Sequence, residues 1–386
     1  MSHNVSLFID KHISKNSDYI LSLILILFFF VEFYSKICEI QFNFYPFQLS
    51  RIIKGIITVF LLVMLFLSKN YKQILILGLI TSVFCIGQFS LDEGYSSDAI
   101  MVFFRYLFPL LLFLFYNSFR TSKSTSYFTK IFEFIVLLNS ALIIIGLLFN
   151  IKLFETYNFS RFGYNGLIYA SATSSYLYLI ALFYFVVKWH TQNRLDLKFF
   201  IILIAACLIG TKSIYITLIM FLFYFIFKLK TKYKMLLSAL LALITAFSAY
   251  FLIFESETFS KITSKNGILT AILSYRNEIF TNNMLPFISN EWNFVNYLFG
   301  GFSDFELRSQ MGLIDLYFVF GGIGCILYLW YYFKLYITFK LTIVTRLFLI
   351  ILIFMIFISG NFFLYSITSL FLIAYKENVL SAIVKK

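Results

Sequence analysis

Apolar runs of about twenty residues recur along most of this chain and decide what it can fold into. The hydrocarbon core of a bilayer is about 30 Å thick, so a helix of about 20 apolar residues crosses it. The 386-residue sequence holds about twelve such runs, of which the seventh and eighth are short. They lie at 19–36, 50–67, 73–90, 99–117, 128–150, 166–188, 198–210, 213–227, 234–254, 313–333, 342–359 and 361–375. The sequence therefore predicts an all-α polytopic membrane protein, folded as a single transmembrane domain over residues 1–386.

The composition supports this class. Hydrophobic residues make up 61% of the chain and charged residues only 13%, whereas about 25% of residues are charged in soluble domains. The 53 Phe and 27 Tyr supply lipid-facing bulk and interfacial anchors. The four cysteines fit no CxxC spacing, so neither a disulfide framework nor a zinc site is predicted. The first apolar run is long enough to span and lacks a small-residue cleavage motif, so no cleavable signal peptide is expected.

Lysine and arginine orient the spans, because cytoplasmic loops carry an excess of both. With the N-terminus inside, every second loop is basic, and the densest cluster is Lys228, Lys230, Lys232 and Lys234. One of the alternate loops is acidic around Asp92. We therefore predict that both termini are cytoplasmic and that the net charge of +13 mostly reflects topology. Nucleic acid is not expected as a partner.

The apolar pattern breaks at 255–312, where charged residues return. Irregular backbone is not tolerated in hydrocarbon, since each unsatisfied polar group costs several kcal/mol there. The predicted topology puts this segment on the outer face as an extracytoplasmic loop. Within it, residues 267–280 predict an amphipathic helix that bears Arg276 and Glu278. We expect this helix to form a lid over a cavity between the membrane helices.

Cations on the predicted outer face break the topological rule, and a cation near the bilayer centre usually has an anionic partner. They are Arg51, Lys54, Arg105, Arg161, Lys212, Arg276 and Arg308. We expect Arg51 and Lys54 to snorkel to lipid phosphates or to pair with a carboxylate. For Arg161, Lys212 and Arg276 we expect anion binding. Arg105 is a less certain fourth candidate.

Arg161 and Lys212 each precede a helix start that suits an anion. Arg161 lies in SRFGYNG at 160–166, before the small and hydroxyl residues ASATSS at 170–175. Small residues also allow close helix packing, so a structural role for that run stays open. A glycine-containing turn that leads into a helix N-terminus presents free backbone N–H groups to an anion. The turn TKS at 211–213 repeats the arrangement.

Five short motifs follow one another in the segment from about residue 100 to residue 335. They are GTKS at 210–213, SYRNEIF at 274–280, YLFGGF at 297–302, DLY at 315–317 and FGGIG at 320–324. Their order and spacing, with the long outer loop late in the chain, resemble the O-antigen ligase and polymerase superfamily. The corresponding features there are a Gly-Ser-Arg turn, a loop arginine, a leu-phe-gly-x-gly turn and an acidic residue before a glycine-rich helix start.

Two departures from the superfamily pattern bear on function. Lys212 stands where arginine is usual, which keeps the charge and loses the bidentate fork that suits phosphate. Ligases of the superfamily use a loop histidine, whereas His3, His12 and His190 all lie on the predicted cytoplasmic side. The resemblance therefore favours a repeat-unit polymerase of O-antigen or capsule over a lipopolysaccharide ligase.

The resemblance implies a reaction on lipid-linked sugars at the outer face of a bacterial cytoplasmic membrane. A growing glycan would leave its polyprenyl-diphosphate carrier and join the hydroxyl of a new lipid-linked repeat unit. Expelling the diphosphate requires cations that stabilise developing negative charge. The predicted diphosphate-binding residues are Arg161, Lys212, Arg276 and Arg105.

The attacking sugar hydroxyl needs a base, and a carboxylate suits that role. Asp315 is the first choice because it lies where the loop meets the membrane, although a helix N-cap role explains it almost as well. Glu278, Asp304 and Glu306 are further candidates. The predicted catalytic residues are Arg276, Asp315 and Glu278.

The sequence has no Asp-x-Asp pair, P-loop or GxGxxG. We therefore expect a metal-independent membrane glycosyltransferase with no cofactor and a lipid-linked donor. Its partners would be polyprenyl-diphosphate-linked oligosaccharide and membrane lipid, with the flippase and the chain-length regulator of the same pathway as candidate protein partners.

Other functions stay open beside the polymerase and the ligase. A flippase for the same oligosaccharide also has about twelve spans and a cationic cavity, but the two halves of this chain show no obvious repeat. A glycan acyltransferase needs a base such as histidine near its spans. A polytopic scaffold without chemistry leaves the outer cations unexplained.

Overall fold

Helices form nearly all of the regular structure in this computed structural model. The structure describes residues 2–44, 47–68, 70–91, 97–120, 126–157, 161–192, 194, 196–228, 231–250 and 257–384. Across these ranges no strand occurs, and Glu155 and Tyr164 form one isolated antiparallel bridge. The predicted all-α class is confirmed.

The α-helices of the described ranges fall into three groups along the chain. The first group is α1 (Ser2–Phe42), α2 (Phe47–Leu67), α3 (Tyr71–Phe89), α4 (Ser97–Phe119), α5 (Ser126–Phe149), α6 (Ser171–Gln192), α7 (Leu197–Leu208), α8 (Lys212–Lys228) and α9 (Lys234–Tyr250). Short helices follow as α10 (Glu257–Leu273), α11 (Arg276–Ile279), α12 (Leu285–Glu291) and α13 (Phe294–Phe299). The last group is α14 (Gly312–Tyr336), α15 (Ile343–Ile358) and α16 (Ser366–Val384).

Seven helices in the described part of the chain are long and apolar enough to cross a membrane. They are α1 over Ile13–Phe42, α2 over Leu49–Leu67, α3, α4 over Asp98–Phe119, α5 over Tyr127–Phe149, α6 and α14. α7, α9 and α15 are apolar but shorter. Each of the predicted apolar runs overlaps one helix of the first or the last group. The length and composition of these helices indicate a membrane-embedded protein.

α6 lies at the centre of the bundle. Residues 173–187 are all buried, and a helix that is buried on every face has neighbours all round it. α6 packs most extensively against α16 and also contacts α5, α7, α8 and α15. Asn378 Nδ2 of α16 donates to the Tyr184 carbonyl at 2.7 Å. The Tyr176 hydroxyl donates to the Ser359 carbonyl at 2.8 Å, which fixes the C-terminal end of α15 beside α6.

One end of the bundle, called the Glu377 end, is held by charged side chains. Glu377 of α16 accepts two hydrogen bonds from Arg120, at 2.8 and 3.1 Å. Asp18 of α1 accepts the backbone N–H groups of Tyr127 and Phe128 at 3.0 and 3.1 Å. A carboxylate at the start of α5 satisfies N–H groups that have no partner within the helix. These contacts join α1, α4, α5 and α16 at this end.

Further charged contacts at the Glu377 end extend to α6 and α7. Glu133 of α5 pairs with Lys188 of α6 at 2.7 Å and with Lys198 of α7 at 3.0 Å. Lys376 Nζ donates to Asn117 Oδ1 at 2.7 Å and to the Leu335 carbonyl at 2.8 Å. The helices of the core are therefore tied to one another where they meet this end.

The opposite end, called the Asp315 end, carries the short helices α10–α13, and there the two glycine motifs make a close backbone contact. Gly300 follows α13 and Gly321 lies at a kink in α14, and their φ values of 77° and 64° are left-handed. A Cβ on either residue would meet backbone atoms of the other segment. The Gly301 N–H donates to the Phe318 carbonyl at 3.2 Å. The glycines therefore seat the loop on α14.

The predicted amphipathic helix over 267–280 is interrupted. After α10, Ser274 and Tyr275 take left-handed φ values of 54° and 66°, and α11 starts only beyond them. Residues with a Cβ rarely adopt this region. The break is stabilised by Lys212 of α8, which donates to carbonyls that end α10 and that a continuous helix would use for its own N–H groups.

We expect Gly321→Ala to lower the free energy of unfolding by about 2 kcal/mol, because the left-handed φ and the lack of space both oppose a Cβ. Gly322→Ala is the matched control, since its Cβ would meet only the Tyr297 carbonyl, at an ordinary 3.5 Å. Thermal unfolding of the purified protein in detergent measures the difference. Equal midpoints for the two variants would contradict the assigned role of Gly321.

Candidate functional site

A cavity of about 460 Å³ lies at the Asp315 end between α1, α2 and α4. Its size is that of an ordinary ligand site, since such sites occupy about 300–1,000 Å³. The connection between α15 and α16 also lines it, through Asn361, Leu364 and Tyr365. The cavity is therefore built from elements that are far apart in sequence.

Four cations and one carboxylate lie in the wall of this cavity. They are Arg51 and Lys54 of α2, Arg105 of α4, Arg308 of the loop and Glu32 of α1. Arg51 and Lys54 are three residues apart on α2, so they share a face. Arg51 and Arg308 both act unfavourably on the charge of Arg105. An excess of positive charge in a partly enclosed space attracts anions.

α1 positions the loop that precedes α6 against the cavity. Glu32 accepts the backbone N–H of Tyr169 at 3.2 Å. One turn further along α1, buried Lys36 donates to Asn165 Oδ1 and, at 2.7 Å, to the Gly166 carbonyl. Buried charged groups persist in proteins when hydrogen bonds satisfy them. The two charges of α1 thus hold the segment 161–170 in place.

The other wall of the cavity is apolar. It is formed by Val31, Val59, Leu62, Met101, Phe104 and Phe108. Val59 of α2 and Phe104 of α4 in this wall are 61% and 41% exposed. The cavity is partly open to the surface. Such a site suits a ligand with an anionic head and an apolar tail.

A second group of cations, called the covered cluster, lies beneath α10 and consists of Arg161, Lys212 and Arg276. Lys212 Nζ donates to the Ala271 carbonyl, to the Ile272 carbonyl at 3.1 Å and to Ser274 Oγ at 2.9 Å. A cation at the C-terminal end of a helix is stabilised by the last free carbonyls. Lys212 therefore donates to two carbonyls of α10 and to the serine that follows it.

Aromatic rings contact Arg161, and a backbone carbonyl accepts a hydrogen bond from Arg276. The Phe259 ring of α10 lies 4.4 Å from Lys212 Nζ and 5.5 Å from Arg161 Cζ. Arg161 also lies 4.3 Å from the Tyr157 ring centroid. Such cation–π contacts stabilise a partly desolvated cation. Arg276 Nη1 donates to the carbonyl that ends α15 at 2.6 Å.

Burial lowers the pKa of Arg276 from its ordinary value. Arginine stays protonated in proteins because its ordinary pKa exceeds 12. The side chain is therefore a fixed cation at any pH at which the protein is folded. Its charge interacts favourably with Asp315.

Asp315 is buried near the start of α14, with 1% of its surface exposed. Its Oδ1 accepts a hydrogen bond from Ser309 at 2.8 Å. Its Oδ2 has no hydrogen-bond partner among the residues that the structure describes. Asp315 interacts electrostatically with Arg308 of the cavity and with Arg276 of the covered cluster. A buried acceptor without a donor costs about 1–3 kcal/mol, so a ligand hydroxyl would be favoured there.

The other predicted carboxylates lie elsewhere. Glu278 accepts a hydrogen bond at 2.8 Å from Asn266 within the short helices. Asp304 and Glu306 are exposed in the loop, where Asp304 accepts the backbone N–H of Glu306 at 2.8 Å. Four carboxylates were predicted as candidate bases. Within the described chain, Asp315 is the buried one among them.

Sequence reasoning missed most of the cavity. Arg51 and Lys54 were expected to reach lipid phosphates or a carboxylate. They line the cavity with Arg105, and there Lys54 interacts favourably with Glu32. Arg308 was named among the outer cations without a role. The three-residue spacing of Arg51 and Lys54 on an apolar helix was the available signal. Which helices face α2 could not be read from that spacing.

Comparisons with known protein families, characterised proteins and solved structures find no match. The likeness to the O-antigen superfamily therefore stays a resemblance of short motifs. What the protein does has to be inferred from the cavity, the covered cluster and Asp315.

We expect Arg105→Met to weaken binding of an isoprenyl diphosphate by roughly tenfold or more, because a hydrogen bond to a charged group contributes about 1.5–3 kcal/mol. The measurement is equilibrium binding of a fluorescent farnesyl diphosphate to the protein in lipid nanodiscs. Arg346→Met is the matched control, since Arg346 is exposed at the start of α15. Equal affinities of the two variants would show that the cavity is not the anion site.

Proposed function

We propose that the protein is a polysaccharide polymerase that moves a glycan from a polyprenyl-diphosphate carrier to a new lipid-linked repeat unit. One observation carries the proposal. A partly open cavity with a cationic head region and an apolar wall is lined by Arg308, which interacts electrostatically with buried Asp315. A lipid-linked diphosphate has the same division into a charged head and an apolar tail.

The proposal includes a topology. The twelve helices of the first and last groups would all cross the cytoplasmic membrane of a bacterium, with both chain termini inside. In support, the basic residues Arg120, Lys188 and Lys198 lie at the Glu377 end, and cytoplasmic faces are enriched in lysine and arginine. The Asp315 end, with the short helices α10–α13, would then face outward.

The cavity cations would bind the diphosphate of the donor. Charge-assisted hydrogen bonds to phosphate are about twice as strong as neutral ones, and arginine makes them in pairs. The carrier's isoprenoid chain would lie along the apolar wall and leave the bundle between α2 and α4. Arg308 would meet the phosphate nearest Asp315, because it lines the cavity and interacts with that carboxylate.

The chemistry follows from this placement. The bond between the anomeric carbon of the glycan and its phosphate oxygen breaks, and the electron pair leaves with the diphosphate, whose charge the cations stabilise. The acceptor's hydroxyl oxygen forms the new bond to that carbon. Its proton passes to Asp315 Oδ2, the acceptor that has no partner in the described structure. Arg276 of the covered cluster interacts electrostatically with the same carboxylate.

The flippase fits these observations less well. A transporter needs an access route on each side of its site. Here the Glu377 end is held together by Arg120 with Glu377, and by Glu133 with two lysines. A ligase needs a histidine at the reaction face, and His190 lies exposed at the Glu377 end of α6. The polymerase is therefore the function that the geometry supports best.

We expect Asp315→Asn to abolish long-chain polysaccharide in cells that carry the variant in place of the native chain, because the amide cannot take up the proton. Single repeat units should accumulate on the carrier lipid. Gel analysis of surface polysaccharide and mass spectrometry of extracted carrier lipid measure the two effects. Glu306→Gln, an exposed loop carboxylate, is the matched control and should leave chain length unchanged.

Two results would contradict the proposal. One is a normal distribution of chain lengths in the Asp315→Asn cells at equal protein level. The other is an accumulation of repeat units that never become accessible from outside the cell, which would assign the chain to translocation. Farnesyl diphosphate binding by purified Asp315→Asn should persist, which separates loss of chemistry from loss of folding.

A further inference from the structure

The salt bridges described for this chain pair Arg120, Lys188 and Lys198 with carboxylates and do not include the three cations of the covered cluster, where the side chains of 251–258 lie outside the described part. Their contacts are instead made by backbone carbonyls, a hydroxyl and aromatic rings of the chain itself. These groups carry partial charges only. Full negative charge, as on a phosphate, interacts more strongly with a partly desolvated cation than a carbonyl dipole does. The contacts that α10 makes are therefore replaceable.

α10 is attached so that it can move. Its backbone is kinked at Gly267, where φ is 86° and a Cβ would meet nothing within 4 Å. It ends at Ser274 and Tyr275, two residues in left-handed conformation. Hinges of moving segments are short stretches that absorb changes in φ and ψ. Lys212, on α8, joins the end of α10 to the helix bundle.

We propose that Arg161, Lys212 and Arg276 form a second anion site. α10 covers it with the carbonyls that bind Lys212 and with the Phe259 ring, and a phosphate-bearing ligand enters by displacing α10. The choice of ligand rests on the proposed function. The transfer needs two lipid-linked diphosphates at once, and the cavity between α1, α2 and α4 holds one of them. The second would place its acceptor sugar near Asp315, with which Arg276 interacts.

The covering of the second site by α10 would favour glycan transfer over hydrolysis of the donor. While the second site is empty, α10 lies over the covered cluster and Lys212 is occupied. A donor bound alone would then be shielded from water on that side, which limits hydrolysis in place of transfer. Binding of the second diphosphate replaces the carbonyls at Lys212 and releases α10. The lid thus responds to the acceptor and not to the donor.

Thiol accessibility tests the proposal in the full-length protein. Ala271 of α10 is 1% exposed, and its carbonyl contacts Lys212 of the covered cluster. Ala271→Cys is made in a chain in which Cys38, Cys85, Cys207 and Cys325 are serine, and is reconstituted in nanodiscs. The rate of reaction with a water-soluble maleimide is measured without ligand and with farnesyl diphosphate. We expect a roughly fiftyfold faster reaction with the ligand, since an open state populated to about 1% would become a major one.

Three variants make the result specific. Leu269→Cys, at an α10 position that is 60% exposed, should react at one fast rate under all conditions. Lys212→Met should make Ala271→Cys fast without any ligand. Thr270→Cys, also 1% exposed, is the second reporter should Ala271→Cys fold poorly.

Measurements with three different ligands distinguish a diphosphate site from a site for ordinary membrane lipid. Acceleration by farnesyl diphosphate and by inorganic pyrophosphate, with none by phosphatidylglycerol in the nanodisc, supports a diphosphate site. Acceleration by phosphatidylglycerol alone would assign the site to ordinary membrane lipid and overturn the proposal. A rate that stays slow with every probe and in the Lys212→Met chain would overturn it as well. None of these readouts depends on glycan transfer, so a failed polymerase assignment and a failed lid give different results.

Discussion

Charge inside an apolar helix bundle needs a partner, and this constraint arranges both ends of the protein. At the Glu377 end, carboxylates and cations are matched, as in Arg120 with Glu377 and Glu133 with Lys188. Removing one member of such a pair leaves an uncompensated charge. At the Asp315 end the cations outnumber the carboxylates around the cavity. This excess of positive charge is tolerable only where water, protein dipoles or an anionic ligand compensates it. The Asp315 end therefore needs compensation from outside its own side chains, whereas the Glu377 end is compensated by matched pairs.

The surplus of cations also explains how the Asp315 end is built. Lys36 draws the loop before α6 onto α1, and Lys212 ends α10 by taking its carbonyls. The same kind of contact thus shapes the backbone in two places. The glycines at 300 and 321 then bring the loop close to α14. Electrostatic partners and close backbone packing together place a single buried carboxylate among cations from distant parts of the chain.

The sequence could predict features that depend on neighbours along the chain. Apolar runs predicted the helices, because hydropathy acts over one element at a time. Asp315 was singled out for its position where the loop meets an apolar run, and it is buried there. The cavity was out of reach, because Arg51, Arg105 and Arg308 approach one another only through the packing of α2, α4 and the loop. The break at Tyr275 was equally hidden, since its cause lies on α8.

The complete burial of α6 has a consequence for how the protein is made. Its main neighbour, α16, is synthesised much later, after the whole of the loop segment. Until then the Tyr184 carbonyl lacks the hydrogen bond that Asn378 of α16 donates to it. α6 is therefore made before the surface that will enclose it exists. Biogenesis must hold this helix in a provisional environment until α16 has been made and packed against it.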